Sequence, residues 1–201
     1  MHRETRGWAE ASLRFRLPNR CPDVLRVRGD GGHRRKGKEE ERNGWSEVVC
    51  METEIEERKL AEELKERLGE SFIEYELKHH FGKKRIFVRV KKEDIRESAK
   101  LVFEEYGGRL STISCVDHAS FFELLYHFSI DSRGIVVSLR TEVPKYEPSI
   151  DSITGVLEGA GFIEREIHDL FGVEFKGHPS PRRLILAETW PEGKYPLRKE
   201  G

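Results

Sequence analysis

Apolar positions along the chain recur first at helical and then at strand spacing. In TEIEERKLAEELKERLG (53–69), Ile55, Leu60, Leu64 and Leu68 fall near one stripe, which predicts an amphipathic helix stopped by Gly69. Acids crowd its first turn and Lys65 and Arg67 its last, matching the helix dipole. The period then falls to two. SFIEYEL (71–77) alternates and RIFVRV (85–90) is β-branched and aromatic, so both predict strands. KEDIRESAKLVFEEYGG (92–108) returns to helical steps through Ile95, Ala99, Val102 and Tyr106. Three strand-like runs follow: RLSTISCVD (109–117), FFELLYHFSI (121–130) and GIVVSLR (134–140), the last two joined by a turn at Asp131-Ser132-Arg133-Gly134. Pro144 and Pro148 then interrupt the ladder, and a helix is expected from about Asp151 to Phe171, weakened early by Gly155, Gly159 and Gly161. The order α-β-β-α-β-β-β-α predicts an α+β fold: a largely antiparallel or mixed sheet of about five strands, with helices packed on it and an extended C-terminal arm.

Composition adds a seam at residue 51. The first fifty residues hold ten Arg and two Lys against eight acids, a net of +4, whereas 51–201 hold 24 basic residues against 29 acids, a net of −5. Both asparagines, Asn19 and Asn43, precede the seam, and the chain has no glutamine. A stretch without side-chain amides and dense in Lys, Arg and Glu has the habit of a heat-adapted protein. Residues 1–50 show no sustained period and read as basic and disordered. They are either an arm for an anionic partner or upstream sequence preceding a true start at Met51; an intact mass beginning at Met1 would exclude the second. The expected domains are therefore 1–50, an α+β domain over 51–172, and a docking arm over 173–201.

Several function classes recede. The net charge of −1 gives no global field for nucleic acid. No apolar run spans a bilayer and no secretory h-region opens the chain, which predicts a cytosolic protein that meets a membrane only through a membrane partner. Cys21, Cys50 and Cys115 lack iron–sulfur spacing, and Cys115 reads as a small buried hydrophobe.

Candidate chemistry concentrates in FIEREIHDLFGVEFKGHPSPRRLIL (162–186). At about 100° per residue, Ile163, Ile167, Leu170 and Phe171 form one apolar arc. Glu164 and His168 share one border, Glu166 lies at the other, and Arg165 and Asp169 share the opposite face at ion-pair spacing. One reading is a metal site of Glu164, His168 and a folded-back His178, although the spacing is not HExxH. Glu164 and Glu166 point to different faces and cannot act as a carboxylate dyad. A third reading is a solvated helix. A nucleic-acid module using residues 1–50 and the sheet aromatics is a fourth. His178-Pro179-Ser180-Pro181 cannot be helix or central strand, and its prolines hold the backbone extended. Arg182 and Arg183 offer forks suited to carboxylates of a partner, and Leu184–Leu186 a short apolar anchor. Trp190, Tyr195 and Arg198 are residue types enriched at binding hot spots.

The pattern resembles the signature of the 30-kDa subunit family of respiratory complex I (NADH dehydrogenase) and the corresponding subunits of membrane-bound, energy-converting [NiFe] hydrogenases. It comprises Glu164-Arg165-Glu166, then Asp169-Leu170-Phe171 after two residues, His178 after six more, Arg182, and Leu184-Ile185. Gly172, Phe175, Gly177 and Pro179 fit its "FG-x-x-F-x-GHP", and Trp190 and Pro196-Leu197-Arg198-Lys199 its "W…PLRK" ending. The resemblance covers about 51–201. It implies an α+β domain with no catalytic, metal or cofactor-binding residue and no bound cofactor. It implies a structural subunit that docks on a hydrogenase-like large subunit beside an iron–sulfur subunit. The chain would sit peripherally on the cytoplasmic face of the cell membrane, and the heat-adapted composition and the short chain favour a hydrogenase-type or ferredoxin-linked complex over one of NADH:quinone kind. The expected docking residues are Glu164, Arg165, Glu166, Asp169, His178, Pro179, Arg182, Arg183, Trp190, Tyr195, Leu197 and Arg198.

Overall fold

The computed structural model describes residues 55–80 and 83–199. The basic stretch 1–50 and the expected start at Met51 lie outside the described residues. Helix α1 (55–68) passes through a 3-10 turn, Gly69–Ser71, into β1 (Phe72–His80), which pairs antiparallel with β2 (Lys83–Val90). A second 3-10 turn leads into α2 (Ile95–Glu104). Strands β3 (Arg109–Asp117), β4 (Phe121–Ile130) and β5 (Ile135–Pro144) then form an antiparallel meander. Because β5 lies parallel to β2, the five-stranded sheet is mixed, in the order β1-β2-β5-β4-β3.

Strand parity decides the layers. Phe122, Leu124, Tyr126, Phe128 and Ile130 of β4 stand opposite Val143, Thr141, Leu139, Val137 and Ile135 of β5, and all ten are buried. The same core takes Leu60 and Leu64 from α1, Ile95, Ala99 and Val102 from α2, and Ala160 and Ile167 from α3 (Ala160–Phe171). The three helices thus pack on one sheet face, in keeping with the expected α+β class. Each large apolar side chain buried there contributes about 1.5–3 kcal/mol.

The helix expected from Asp151 starts only at Ala160. Ser149–Asp151 instead form β6, which pairs in parallel with β7 (Glu174–Lys176), bringing Ile150 beside Phe175. Gly155 and Gly159 each disfavour helix by about 1 kcal/mol relative to Ala, and the strand pair that forms instead buries Ile150 and Phe175. Helix α3 ends at Gly172, whose φ of +70° places it in the left-handed region and whose N–H reaches the His168 carbonyl at 2.8 Å. Residues 177–199 contain turns and bends but no helix or strand.

Candidate functional site

The charged side chains of α3 divide into one that points inward and two that point at the chain's own end. Glu164 is fully buried. Its carboxylate accepts the Ser152 hydroxyl at 2.5 Å and the Ile153 N–H at 2.8 Å, holding the turn between β6 and α3. Arg96 on α2 supports the same turn, donating to the Ser152 carbonyl at 2.9 Å. Burial pushes the Glu164 carboxyl above its ordinary pKa, against the opposing pull of Ser152, the Ile153 amide, His178 and Arg96.

Arg165 and Asp169 do not form the ion pair that their spacing suggests. Arg165 donates to the carbonyls of Arg182 and Arg183 at 2.7 and 2.9 Å. One oxygen of Asp169 accepts three consecutive amides, those of Leu184, Ile185 and Leu186, at 2.7, 2.8 and 3.2 Å. Burial raises the Asp169 carboxyl, but the three amides and His168 outweigh it, and its pKa falls below the ordinary value. A carboxylate bonded to backbone amides makes charge-assisted bonds, stronger than neutral ones. The two side chains therefore grip the backbone of 182–186 by its carbonyls on one side and its amides on the other.

The rest of the segment is held in the same manner. Arg183 donates to the carbonyls of Ala187 and Trp190 at 2.9 and 2.7 Å. Arg183, one of the two arginines expected to face a partner, thus shapes its own loop through one guanidinium nitrogen. Arg182 is exposed, and its guanidinium has no partner among the described residues. Arg198 donates to the Phe171 carbonyl at 2.6 Å and stacks between Tyr195 and Phe122, at 4.3 and 5.1 Å from the ring centres. The Tyr195 ring covers the space that a Cβ on Gly172 would need. Trp190 Nε1 donates to the Lys194 carbonyl at 2.9 Å, and the Lys199 N–H reaches Asp117 at 2.6 Å. Glu166 and Pro179 are exposed.

His178 is fixed by two backbone groups. Its Nε2–H donates to the Gly161 carbonyl at 3.1 Å, and its Nδ1 accepts the Ser180 N–H at 3.0 Å. His168 donates through Nδ1 to the Val173 carbonyl at 3.0 Å. The metal alternative needs Glu164, His168 and His178 to aim lone pairs at one point, but Glu164 and His178 already bond to protein groups through both polar atoms. Among the described residues no group of three His, Cys, Asp or Glu side chains is placed to hold a metal ion. A cavity of about 200 Å³ lies here, lined by Glu164, Arg165, His168, Phe175, His178 and Pro181.

Sequence reasoning passed over Asp117, Ser152 and Arg96. Asp117 carried a readable signal, because it shares strand parity with Ile113 and Cys115, facing the core where an acid needs a partner. Burial raises its carboxyl, yet Lys145 and the Lys199 amide bring it below the ordinary value. No helix among the described residues is long and apolar enough to cross a membrane.

Residues 88–201, more than half of the chain, match the family model of the respiratory-chain NADH dehydrogenase 30-kDa subunit. Over 142 residues the chain is 33% identical to an NADH-quinone oxidoreductase subunit of Geotalea uraniireducens, covering 68% of this chain and 82% of that one. Over 82 residues it is 42% identical to a longer NADH-quinone oxidoreductase subunit of Methylococcus capsulatus, covering 41% of this chain but only 14% of that protein. The fold resembles a chain of the membrane-bound sulfane sulfur reductase, an archaeal respiratory membrane complex, with a TM-score of 0.62 at 22% identity, over 70% of this chain and 82% of that one. The side chains that grip the C-terminal segment are the same ones that carry the sequence signature, and with the family match they establish that this chain belongs to the 30-kDa subunit family of the respiratory-chain NADH dehydrogenase.

Proposed function

We propose that the chain is a non-catalytic subunit of a membrane-bound oxidoreductase complex, and that it docks on a [NiFe]-hydrogenase-like large subunit through the outer surface of residues 177–199. One observation carries this reading. The signature residues Arg165 and Asp169 bond to the segment's backbone, which leaves Leu184, Ile185, Trp190 and Leu197 at 38, 56, 38 and 51% exposure. A segment without helix or strand, ordered in advance and presenting large apolar side chains, loses less entropy on docking and offers buriable area. In this reading Glu164, Arg165, Asp169, Arg183 and Arg198 shape the surface. Glu166, Arg182, Leu184, Ile185, Trp190 and Leu197 meet the partner.

The complex is of hydrogenase-type or ferredoxin-linked kind rather than NADH:quinone kind. The amide-free composition of 51–201 and the likeness in fold to the sulfane sulfur reductase support this assignment. An iron–sulfur subunit sits beside the large subunit, and this chain lies peripherally on the cytoplasmic face, meeting the membrane only through the complex. The test is to solubilise native membranes mildly, pull on this chain and identify its companions by mass spectrometry. The large subunit, an iron–sulfur subunit and antiporter-like membrane subunits are expected. The double variant Leu184→Glu/Ile185→Glu is expected to lose them while melting like the wild type. Recovery of the wild-type chain alone, or full retention of partners by the double variant, would overturn the reading.

A further inference from the structure

The helices cover one face of the sheet, and among the described residues no helix covers the other. On that open face, among the described residues, the charges are matched within the chain with the exception of Arg85. Arg140 meets Glu123 at 2.5 Å and Glu76 at 3.6 Å. Arg89 meets Glu74 at 3.4 Å and Glu142 at 3.0 Å, and Lys78 meets Glu76 at 3.1 Å. Arg85 stands in register between Lys78 on β1 and Val136 on β5, with no acid in ion-pair range among the described residues. Its Nε is shut off from solvent and has no acceptor among them. The residue as a whole is only half-buried, so an acceptor brought to its open part would meet a charge that no acid among the described residues neutralises.

Nothing nearby on the sheet supplies one. His127 of β4 bonds to Ser138 at 2.8 Å and Ser114 at 3.3 Å, and burial followed by the Arg85 charge holds its pKa below the ordinary value. Phe87, two residues on along the same face of β2, and Val136, its register partner, are half-buried and apolar.

We propose that this open face is a second docking surface, on which a carboxylate from a neighbouring protein subunit seats on the Arg85 guanidinium. A planar, singly charged carboxylate matches one guanidinium fork. A phosphate would call for a second free cation, whereas Lys78, Arg89 and Arg140 are already paired. The half-buried apolar residues around Arg85 suit protein side chains. The proposal rests on the reading of the chain as a docking subunit and uses a surface separate from residues 177–199.

The test compares native complexes carrying full-length Arg85→Glu, Arg85→Met or Arg85→Lys. Arg85→Glu and Arg85→Met are expected to lower recovery of the neighbouring subunits about tenfold or more, with Arg85→Lys losing less and the isolated chain melting unchanged. If Arg85→Glu fails to fold, Arg85→Met, which keeps the apolar stem, decides the outcome. Full recovery with the charge removed overturns the proposal. If the Leu184→Glu/Ile185→Glu chain detaches meanwhile, the proposed function stands without it; if that chain also stays bound, both fail. A lower melting temperature with partners retained would mean that the acceptor lies within this chain, and that too overturns the proposal.

Discussion

The sheet core and the C-terminal segment are ordered by opposite means. In the core, alternating apolar side chains from β4 and β5 meet three helices, and burial is non-directional and additive in area. In residues 177–199 the side chains stay largely exposed while the backbone is gripped by Arg165, Asp169 and Arg183, and Arg198 reaches back to the Phe171 carbonyl at the end of α3. The contrast teaches that a chain end too poor in apolar residues for its own core can still be held in one shape. Two of the determinants, Arg165 and Asp169, then lie in another element, and disturbing them should release the segment without unfolding the domain.

The largest effect should come from the core. Phe128→Ala removes a fully buried ring and should cost about 3–5 kcal/mol, so that domain and segment unfold in one transition. Denaturant titration followed by far-ultraviolet circular dichroism and by fluorescence in a Trp8→Phe/Trp45→Phe background, which leaves Trp190 as the reporter, measures both; separate transitions would contradict this. Asp169→Ala leaves three amides without their acceptor and should destabilise the segment by about 2–3 kcal/mol. Limited proteolysis should then cut near residues 180–190 while the far-ultraviolet midpoint barely moves. If the whole domain melts with it, the division between the two regions is wrong.

A smaller effect is expected at Gly172→Ala. The positive φ costs about 1 kcal/mol for a residue with a Cβ, and the Tyr195 ring must also move aside. Trp190 fluorescence and protease sensitivity should report the loosened segment.

Acidity separates the two faces of α3 by sign. The Asp169 pKa is lowered in the folded chain, so its contribution is present above the ordinary carboxylate value and lost as pH falls through the folded one. Protection of residues 180–190 from an acid-active protease should therefore fade only below the ordinary carboxylate range. The Glu164 pKa is raised, so its contribution is present at low pH and declines as pH rises through the folded value. Glu164→Gln should flatten that decline, and an unchanged pH profile of the melting temperature would count against the assignment. The smallest change is expected at Glu166→Ala. This exposed residue should alter stability by no more than about 0.5 kcal/mol, so any loss of partner recovery reports the interface alone.

Most elements were legible because they follow from periods within about ten residues. The hydrophobic alternation of 121–130 is a strand in any context that buries one face, and its parity names the core residues. The β6–β7 pair was not legible, since three-residue strands carry no period and their partner lies 25 residues away in sequence (Ser149 with Glu174). The phase of α3 was partly misread. Apolar counting placed Glu164 at a border, yet it is buried, because the 152–154 turn lies against that side and offers it a hydroxyl and an amide.

The sequence by itself determined the α+β order of elements through β5, the apolar periods of the longer strands and the presence of a specific charged signature near α3. These depend on side-chain spacing within single elements. Only the tertiary structure decided what the signature does. Asp169 and Leu184 are 15 residues apart and Asp117 and Lys199 are 82 apart, so their bonds exist only once the chain has closed on itself. A charge in a sequence shows that a partner is needed; which backbone supplies it depends on the path of the chain.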